Sequence, residues 1–289
     1  MFPPVIKTAV TVVMMVILTA LCAGALRIVV DDPRQPSRQE KGKPSTAPAP
    51  AKNLRVLFLM VKQFTWEYRF FTRAVATVPN IQCEAILIRE PAREGKNQVD
   101  DKEFQPGRFD VYVLDELPAN ALPLRQQGLL VAAVERGAGM MMLGGQSSFG
   151  AGGWAQSEVA HILPILIRPE DGMNEPENGL KLVLTEAGQK SWILQLGPTE
   201  SDTIKIWGKL PPFSRANRLG LPKAGAQVLA RTTGGDPLLI AQAVGKGRVL
   251  ACAGETWMWA RASEEARSIH RKFWQRALAW TGTSHIPPK

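Results

Sequence analysis

Beyond residue 53, the hydrophobic positions alternate between short continuous runs and stretches with helical spacing. Residues 55–60 are almost wholly apolar, which is typical of a strand covered on both faces. Residues 65–78 follow at helical spacing and predict a helix whose buried face carries Trp66 and Phe70. Further strands are predicted at 82–88, 111–114 and 140–143, and a further helix at 122–136. This alternation favours a mostly parallel sheet with helices on both faces.

The second half of this region carries more strand patterns and ends in a helix. Strands are predicted at 180–185, 226–232, 238–244 and 248–253. Residues 245–247 read Gly-Lys-Gly and predict a hairpin turn between the last two strands. A helix is expected to begin at Ser263, with Ile269 and Phe273 on one face.

The first 53 residues have a different pattern. Residues 8–26 carry no charge, and a helix of that length would measure about 28 Å, close to a bilayer core of about 30 Å. They predict an uncleaved signal anchor, which the length favours, or a cleaved signal peptide. The stretch from 31 to 53 contains five prolines and predicts an extended tether.

These patterns predict four segments and a membrane location. The segments are an anchor or signal peptide at 1–30, a Pro-rich linker at 31–53, a folded domain at 54–282 and a tail at 283–289. We expect a single-pass membrane protein that contacts the membrane through its N-terminal helix. Positive charges after the span favour a cytoplasmic domain, but the short leader with only Lys7 is typical of export signals. We therefore expect the folded domain on the extracytoplasmic side.

Composition and charge argue against several kinds of partner and site. The 289 residues carry a net charge of +9 that is spread along the chain without a dense basic block, so no nucleic-acid partner is predicted. Three cysteines exclude a disulfide scaffold and a four-cysteine metal site. With three histidines and no helical metal-ligand spacing, neither a metal site nor a cofactor is predicted.

A glycine-rich loop follows the predicted strand at 140–143. Residues 144–154 include five glycines, and ligands of parallel sheets bind beyond the carboxyl ends of the strands. Free backbone N–H groups in such a loop can hold an anion, although the loop lacks the Gly-Lys-Ser/Thr ending of a phosphate loop. A tight strand-to-helix crossover that binds nothing is the alternative interpretation.

Four stretches, taken in order, are similar to one known family. They lie at 66–70, 134–153, 237–259 and 273–276. In this order they resemble the glutamine amidotransferase-like domain of bacterial membrane-associated proteins, in the class I glutamine amidotransferase-like superfamily. The resemblance covers residues 54–282 and implies a flavodoxin-like three-layer α/β sandwich, to which the N-terminal pattern adds a transmembrane helix.

The same resemblance implies a catalytic apparatus that this sequence lacks. Active members use a cysteine on a sharp turn after a strand, activated by a histidine with a glutamate behind it. Here the turn reads Gly-Gly-Gln-Ser at 144–147, and the later segment reads Cys-Ala-Gly-Glu-Thr-Trp at 252–257, with Glu255 near the position of the acid. No catalytic residue is therefore predicted.

We expect instead a membrane-tethered, non-catalytic domain that binds a small polar ligand or a partner protein at the carboxyl edge of the sheet. The predicted ligand-binding residues are Gly144, Gly145, Gln146, Ser147, Ser148, Asp115, Glu116, Glu255 and Trp257. Glu67 is expected to pair with a basic group or to line the same crevice. The alternative for this edge is a surface ion-pair cluster capped by tryptophans.

Two other functions stay open. One is an amidase or hydrolase that uses Ser147, Ser148 or Cys252, and it needs a histidine within hydrogen-bond reach of the nucleophile. The other is a structural subunit of a membrane complex. The strand patterns around Cys83 and Cys252 favour buried, inert thiols. His161 is expected to be packed or capping, and His270 to be solvated.

Overall fold

The computed structural model describes residues 25–29, 53–61, 65–78, 80–89 and 99–282. Within these residues the strands are, in chain order, β1 (Ala25–Val29), β2 (Leu54–Val61), β3 (Ile81–Ile88), β4 (Val111–Leu114), β5 (Gly139–Leu143), β6 (Ile165–Leu166), β7 (Met173–Asn174), β8 (Leu182–Leu184), β9 (Ala216–Asn217), β10 (Leu221–Pro222), β11 (Gln227–Thr232), β12 (Pro237–Val244) and β13 (Gly247–Cys252). The helices are α1 (Trp66–Val75), α2 (Leu124–Glu135), α3 (Glu186–Lys190), α4 (Glu200–Gly208), α5 (Trp257–Ala262) and α6 (Glu264–Gly282).

One large sheet organises the fold, in the order β1-β3-β2-β4-β5-β13-β12-β11-β8. The five neighbours β3, β2, β4, β5 and β13 run parallel. The outer strands each pair antiparallel with their neighbours: β1 with β3 on one side, and β12 with β13, β11 with β12 and β8 with β11 on the other. The prediction of an α/β fold around a mostly parallel sheet fits this arrangement. Two short pairs, β6 with β10 and β7 with β9, lie apart from the large sheet.

The helices cover both faces of the sheet. The crossover from β2 to β3 and the crossover from β4 to β5 run in opposite directions across it, so right-handed connections place α1 and α2 on opposite faces. Helix α6 packs against α1, α5 and the parallel strands. Its last turn lies directly on β5, because a Cβ at Gly139 would stand 2.4 Å from the carbonyl oxygen of Thr281.

The buried face of α1 differs from the predicted one. Trp66 is 50% exposed and Phe70 is half-buried, whereas Tyr68 and Phe71 are buried and pack edge-on against Phe58 of β2. Both sets of aromatic residues have helical spacing, and the helix is rotated by one position to bury the second. This rotation also buries Glu67 on the inner side of α1.

The predicted transmembrane helix is wrong. Among the residues that the structure describes, no helix combines the length and apolar character that crossing a bilayer requires. This finding also contradicts the expected single-pass membrane location. Residues 8–24 of the predicted span and most of the 31–53 linker lie outside the described residues. Ala25 and Leu26, the last two residues of that span, belong instead to β1, which pairs antiparallel with β3.

Candidate functional site

The carboxyl ends of β4, β5 and β13 lie side by side, and the first turn of α1 approaches the same edge. From β2 the chain crosses to β3 on one side of the sheet, and from β4 it crosses to β5 on the other side. The boundary between β2 and β4 is therefore a topological switch point, where open α/β sheets bind ligands. Asp115 and Glu116 follow β4, the glycine-rich loop follows β5, and Glu255 follows β13. We call this set of residues the edge crevice.

The Glu116 carboxylate accepts hydrogen bonds from two backbone amides of the glycine-rich loop. Its Oε1 accepts a hydrogen bond from the Gln146 N–H at 3.1 Å, and its Oε2 accepts one from the Ser147 N–H at 2.9 Å. The anion-holding amides predicted for this loop are therefore bonded to a carboxylate of the chain itself. Glu116 has a φ of 48°, the left-handed region that residues other than glycine adopt uncommonly.

Gly145 makes room for this carboxylate. A Cβ at position 145 would lie 2.3 Å from the Cδ of Glu116, so any side chain there would displace the Glu116 carboxylate or the loop. The loop is held from the other side by buried Asn217, whose Oδ1 accepts from the Gly145 N–H at 2.8 Å. Asn217 Nδ2 donates to the Gly145 carbonyl at 3.0 Å. Sequence reasoning missed Asn217, because nothing near it in the chain marks its pairing with a loop 72 residues away.

Asp115 is the most buried acid of the edge crevice, with no exposed surface. Its Oδ2 accepts a hydrogen bond from the Thr65 hydroxyl at the start of α1, while Oδ1 has no partner among the described residues. Burial, together with the charges of Glu116 and Glu255, raises the pKa of Asp115 to about 7, although the hydrogen bond from Thr65 acts to lower it. A neutral pH therefore leaves this carboxyl partly protonated.

Glu67 lies at the centre of a buried polar network. Its Oε1 accepts from the Thr256 hydroxyl and its Oε2 from the Trp257 N–H at 3.0 Å. Trp274 Nε1 lies within hydrogen-bond distance of both Thr256 Oγ1, at 2.9 Å, and His270 Nε2, at 3.0 Å. Burial raises the pKa of Glu67 to about 8. Glu67 thus joins α1 to the connection between β13 and α5, and no basic group of the described residues pairs with it.

Glu255 is bonded to groups other than the glycine-rich loop. Its Oε1 forms an ion pair with Arg215 Nη2 at 2.7 Å, and its Oε2 accepts from Trp257 Nε1 at 3.3 Å. The hydrogen bond to Glu255 raises the pKa of Arg215. Arg215 is the cation of the edge crevice that sequence reasoning missed.

An aromatic rim borders the edge crevice. The ring centroids of Trp66 and Trp257 lie 6.2 Å apart, and the Arg261 guanidinium lies 5.9 Å and 5.8 Å from the two centroids. Arg69 covers Trp66 from 5.2 Å. These contacts stabilise Trp66 in a position that leaves half of its surface exposed.

The structure pairs no candidate nucleophile with a base among the described residues. Ser148 Oγ is buried without a hydrogen-bond partner among the described residues, and the Cys252 thiol donates to the Gly254 carbonyl, with a distance of 3.6 Å from Sγ to the oxygen. Burial raises the pKa of Cys252 to about 12. The thiols of Cys83 and Cys252 are both buried, as predicted.

His270 differs from its predicted environment, and His161 differs from the packed alternative of its prediction. His270 is buried rather than solvated, and burial lowers its pKa to about 3, so the ring is neutral and accepts from Trp274. His161 is exposed rather than packed, because it ends a short 3₁₀ turn at the surface. His285 lies outside the described residues.

The glycine-rich loop leads into two short 3₁₀ turns, Trp154–Gln156 and Glu158–His161, rather than directly into an α-helix as the strand-to-helix interpretation expects. The sharp turn of a nucleophile elbow holds its nucleophile in a strained backbone conformation, typically with a positive φ. No residue from Gly144 to Ser148 has a positive φ. Within the described part of the chain, no group of three or more His, Cys, Asp or Glu side chains is placed to hold a metal ion.

Comparisons with known proteins agree with this architecture. Among solved structures, the cytoplasmic protein STM1381 from Salmonella typhimurium LT2 is 19% identical, with a TM-score of 0.59 over 80% of this chain and 100% of that chain. The cytoplasmic protein STM3548 from Salmonella typhimurium is 16% identical, with a TM-score of 0.58 over 79% and 99%. At these identities the likeness shows the fold alone. No curated protein matches the chain in sequence.

A family model supplies the assignment. The GATase1_like model, described as "Putative glutamine amidotransferase", matches residues 112–283, which is more than half of the chain. This match confirms the resemblance drawn from the four sequence stretches, but it does not extend to membrane association. The chain belongs to the GATase1_like family of glutamine amidotransferase-like proteins.

Proposed function

We propose that this chain is a non-catalytic glutamine amidotransferase-like domain that binds a small polar ligand at the edge crevice. The observation that carries the proposal is the position of Glu116. Acyl transfer from glutamine needs N–H donors free to stabilise an oxyanion, and a nucleophile beside them. In this conformation the Gln146 and Ser147 amides are bonded to the Glu116 carboxylate, and Ser148 Oγ has no hydrogen-bond partner among the described residues.

Two unpartnered atoms support ligand binding. Asp115 Oδ1 and Ser148 Oγ are buried at the edge crevice, and neither has a hydrogen-bond partner among the described residues. Buried polar atoms in folded proteins nearly always have a partner, since an unsatisfied one is unfavourable. A polar ligand would supply these missing bonds.

A combined assay tests the proposal. The purified chain is incubated with glutamine while ammonia is measured, and its melting temperature is recorded with and without a library of small metabolites. We expect no ammonia above the rate without protein, and we expect at least one metabolite to raise the melting temperature, because a ligand of the native state stabilises it. The Asp115→Asn variant should lose that rise. Ammonia release that a single substitution abolishes would overturn the non-catalytic assignment.

A partner protein is the second candidate, and the aromatic rim favours it. Trp66 is half exposed beside two arginines, and tryptophan and arginine are enriched among the residues that dominate protein interfaces. The Trp66→Ala variant separates the two candidates. It should leave the metabolite-induced rise in melting temperature intact if the ligand binds near Asp115. It should abolish association with any protein that binds the rim.

A further inference from the structure

The two amides that hold Glu116 form a pair of donors matched to a carboxylate. Each oxygen of the group accepts one N–H, at 3.1 Å from Gln146 and 2.9 Å from Ser147. Hydrogen bonds to an ionised acceptor are stronger than those between neutral groups. The absence of a side chain at Gly145 leaves the space that the carboxylate carbon fills. The loop is thus shaped for a carboxylate as well as bonded to one.

Glu116 holds this position against two opposing effects. Its backbone has a φ of 48°, which side chains other than those of Asn and Asp disfavour. Its charge also lies close enough to raise the pKa of Asp115. Two groups favour the carboxylate here: the loop amides bond it directly, and Arg215 lies close enough for the charge of Glu116 to raise its pKa. The amides supply the directed bonds and Arg215 adds a positive charge, so the surroundings of Glu116 favour an anion.

We propose that the Gln146 and Ser147 amides form a carboxylate-binding site whose built-in occupant is Glu116, and that small carboxylate ligands bind there when this side chain turns out to solvent. Glu116 is half-buried and Gln146 is exposed, so the site opens directly to solvent. The inference rests on the proposed function and gives its ligand a chemical class.

Glu116 sets the affinity through its own occupancy of the site. The apparent affinity for an external carboxylate falls in proportion to the fraction of molecules in which the site is free. Removing the Glu116 side chain should therefore tighten binding, and we expect at least about a tenfold difference between the wild type and an opened variant. Glycine suits the positive φ, so Glu116→Gly is the opening variant that keeps the backbone conformation.

Amide chemical shifts report directly on the site. The full chain is labelled with ¹⁵N as the wild type, Glu116→Gly and Glu116→Gln, and is titrated with sodium acetate or with sodium chloride at equal ionic strength. In Glu116→Gly we expect the Gln146 and Ser147 amide signals to shift with acetate and to saturate, but not to respond to chloride. The wild type should respond at least about tenfold more weakly, and Glu116→Gln should lie between them because its one carbonyl oxygen still accepts a bond.

A matched variant shows whether acetate takes the place of the side chain. Adding Gly145→Ala to Glu116→Gly puts a methyl group 2.3 Å from the place of the carboxylate carbon, too close for both to fit, so the acetate response should disappear. Glu116→Ala repeats the opening if the glycine variant folds poorly. The inference is overturned if acetate leaves both amides of a folded opening variant unmoved, if chloride moves them equally, or if the wild type binds acetate as tightly. Those results leave the ammonia assay untouched, so this inference and the non-catalytic assignment fail separately.

Discussion

At the scale of single residues, two buried carboxyl groups dominate the electrostatics of the edge crevice. Burial raises the pKa of Glu67 to about 8 and that of Asp115 to about 7. In the unfolded chain both groups return to ordinary values near 4. Between about pH 4 and the raised pKa of each group, the native state therefore keeps a proton on that carboxyl that the unfolded state has released. The free energy of unfolding therefore decreases as pH rises through this range.

This relation predicts a pH profile. We expect these two groups to lower the melting temperature of the wild type by several degrees from about pH 4 to about pH 8. Buried His270, whose pKa is about 3, opposes them up to about pH 6.5, so the fall should be steepest above that pH. Asp115→Asn should flatten the profile up to about pH 7, and Glu67→Gln should flatten it up to about pH 8. Thermal unfolding followed by circular dichroism across this range measures all three proteins.

The control for this profile is a surface acid. Glu186 is exposed and its pKa is lowered by its hydrogen bond to Lys190, so Glu186→Gln should leave the profile between pH 5 and 8 unchanged. If Asp115→Asn and Glu67→Gln both follow the wild-type slope, the two buried carboxyl groups do not titrate as described.

The sequence predicts the place of the edge crevice better than its contacts. Asp115 and Glu116 directly follow a continuous apolar run, which marks the carboxyl end of a strand. Glu116 makes its bonds to the loop from a backbone with a positive φ, and a glutamate in the sequence gives no sign of that conformation. Arg215 and Asn217 reach the crevice from β9 and its flank, and single-sequence patterns carry no signal for contacts between such distant segments.

At the scale of elements, Thr256 joins three helices. Its hydroxyl donates to Glu67 of α1 and lies 2.9 Å from Trp274 Nε1 of α6, and Thr256 itself precedes α5. Its side chain makes no capping bond to α5, whose first backbone N–H donates to Glu67 instead. One buried hydroxyl therefore links all three helices, in addition to their direct packing.

This junction predicts a clear contrast between two substitutions. Thr256→Val keeps the shape of the side chain but removes the hydroxyl, which leaves Glu67 Oε1 without its bond, so we expect a loss of about 1–3 kcal/mol in the free energy of unfolding. Thr256→Ser keeps the hydroxyl and should retain most of the stability. Urea denaturation of both variants measures the difference, and equal losses would show that packing of the methyl group is what matters.

The sequence predicts where strands and helices lie along the chain better than it predicts which face of a helix is buried. The apolar runs at 111–114 and 140–143 coincide with β4 and β5 to within one residue, because strands buried on both faces need continuous apolar sequence. The face of α1 is ambiguous in the sequence, since Trp66 with Phe70 and Tyr68 with Phe71 both have helical spacing. Packing against Phe58 decided between them, and that contact is tertiary.

At the scale of the whole molecule, β1 covers an edge of the sheet. It pairs with β3 along five residues, and Arg27 forms ion pairs with Glu84 of β3 and with buried Glu103. The folded domain predicted from the sequence begins at residue 54, so it omits this strand. An uncovered strand edge offers unpaired N–H and C=O groups to other chains.

A truncation tests the role of β1. A chain that begins at residue 53 leaves the outer edge of β3 unpaired, so we expect it to self-associate in size-exclusion chromatography and to melt several degrees below the full chain. Arg27→Ala is the matched variant, because it keeps the strand and removes only the ion pairs. It should remain as monodisperse as the wild type and lose about 1 kcal/mol or less. Equal behaviour of the truncated and full chains would contradict a stabilising role for β1.

The contact between α6 and the sheet sets a constraint on biosynthesis. The parallel strands β2 to β5 are translated well before α6, yet the end of that helix seats directly against Gly139 at the start of β5. A nascent chain therefore emerges from the ribosome with one apolar face of its central strands lacking its cover. Until α6 has been synthesised, part of that face stays uncovered, and exposed apolar surface of this kind makes an incompletely folded chain prone to aggregate.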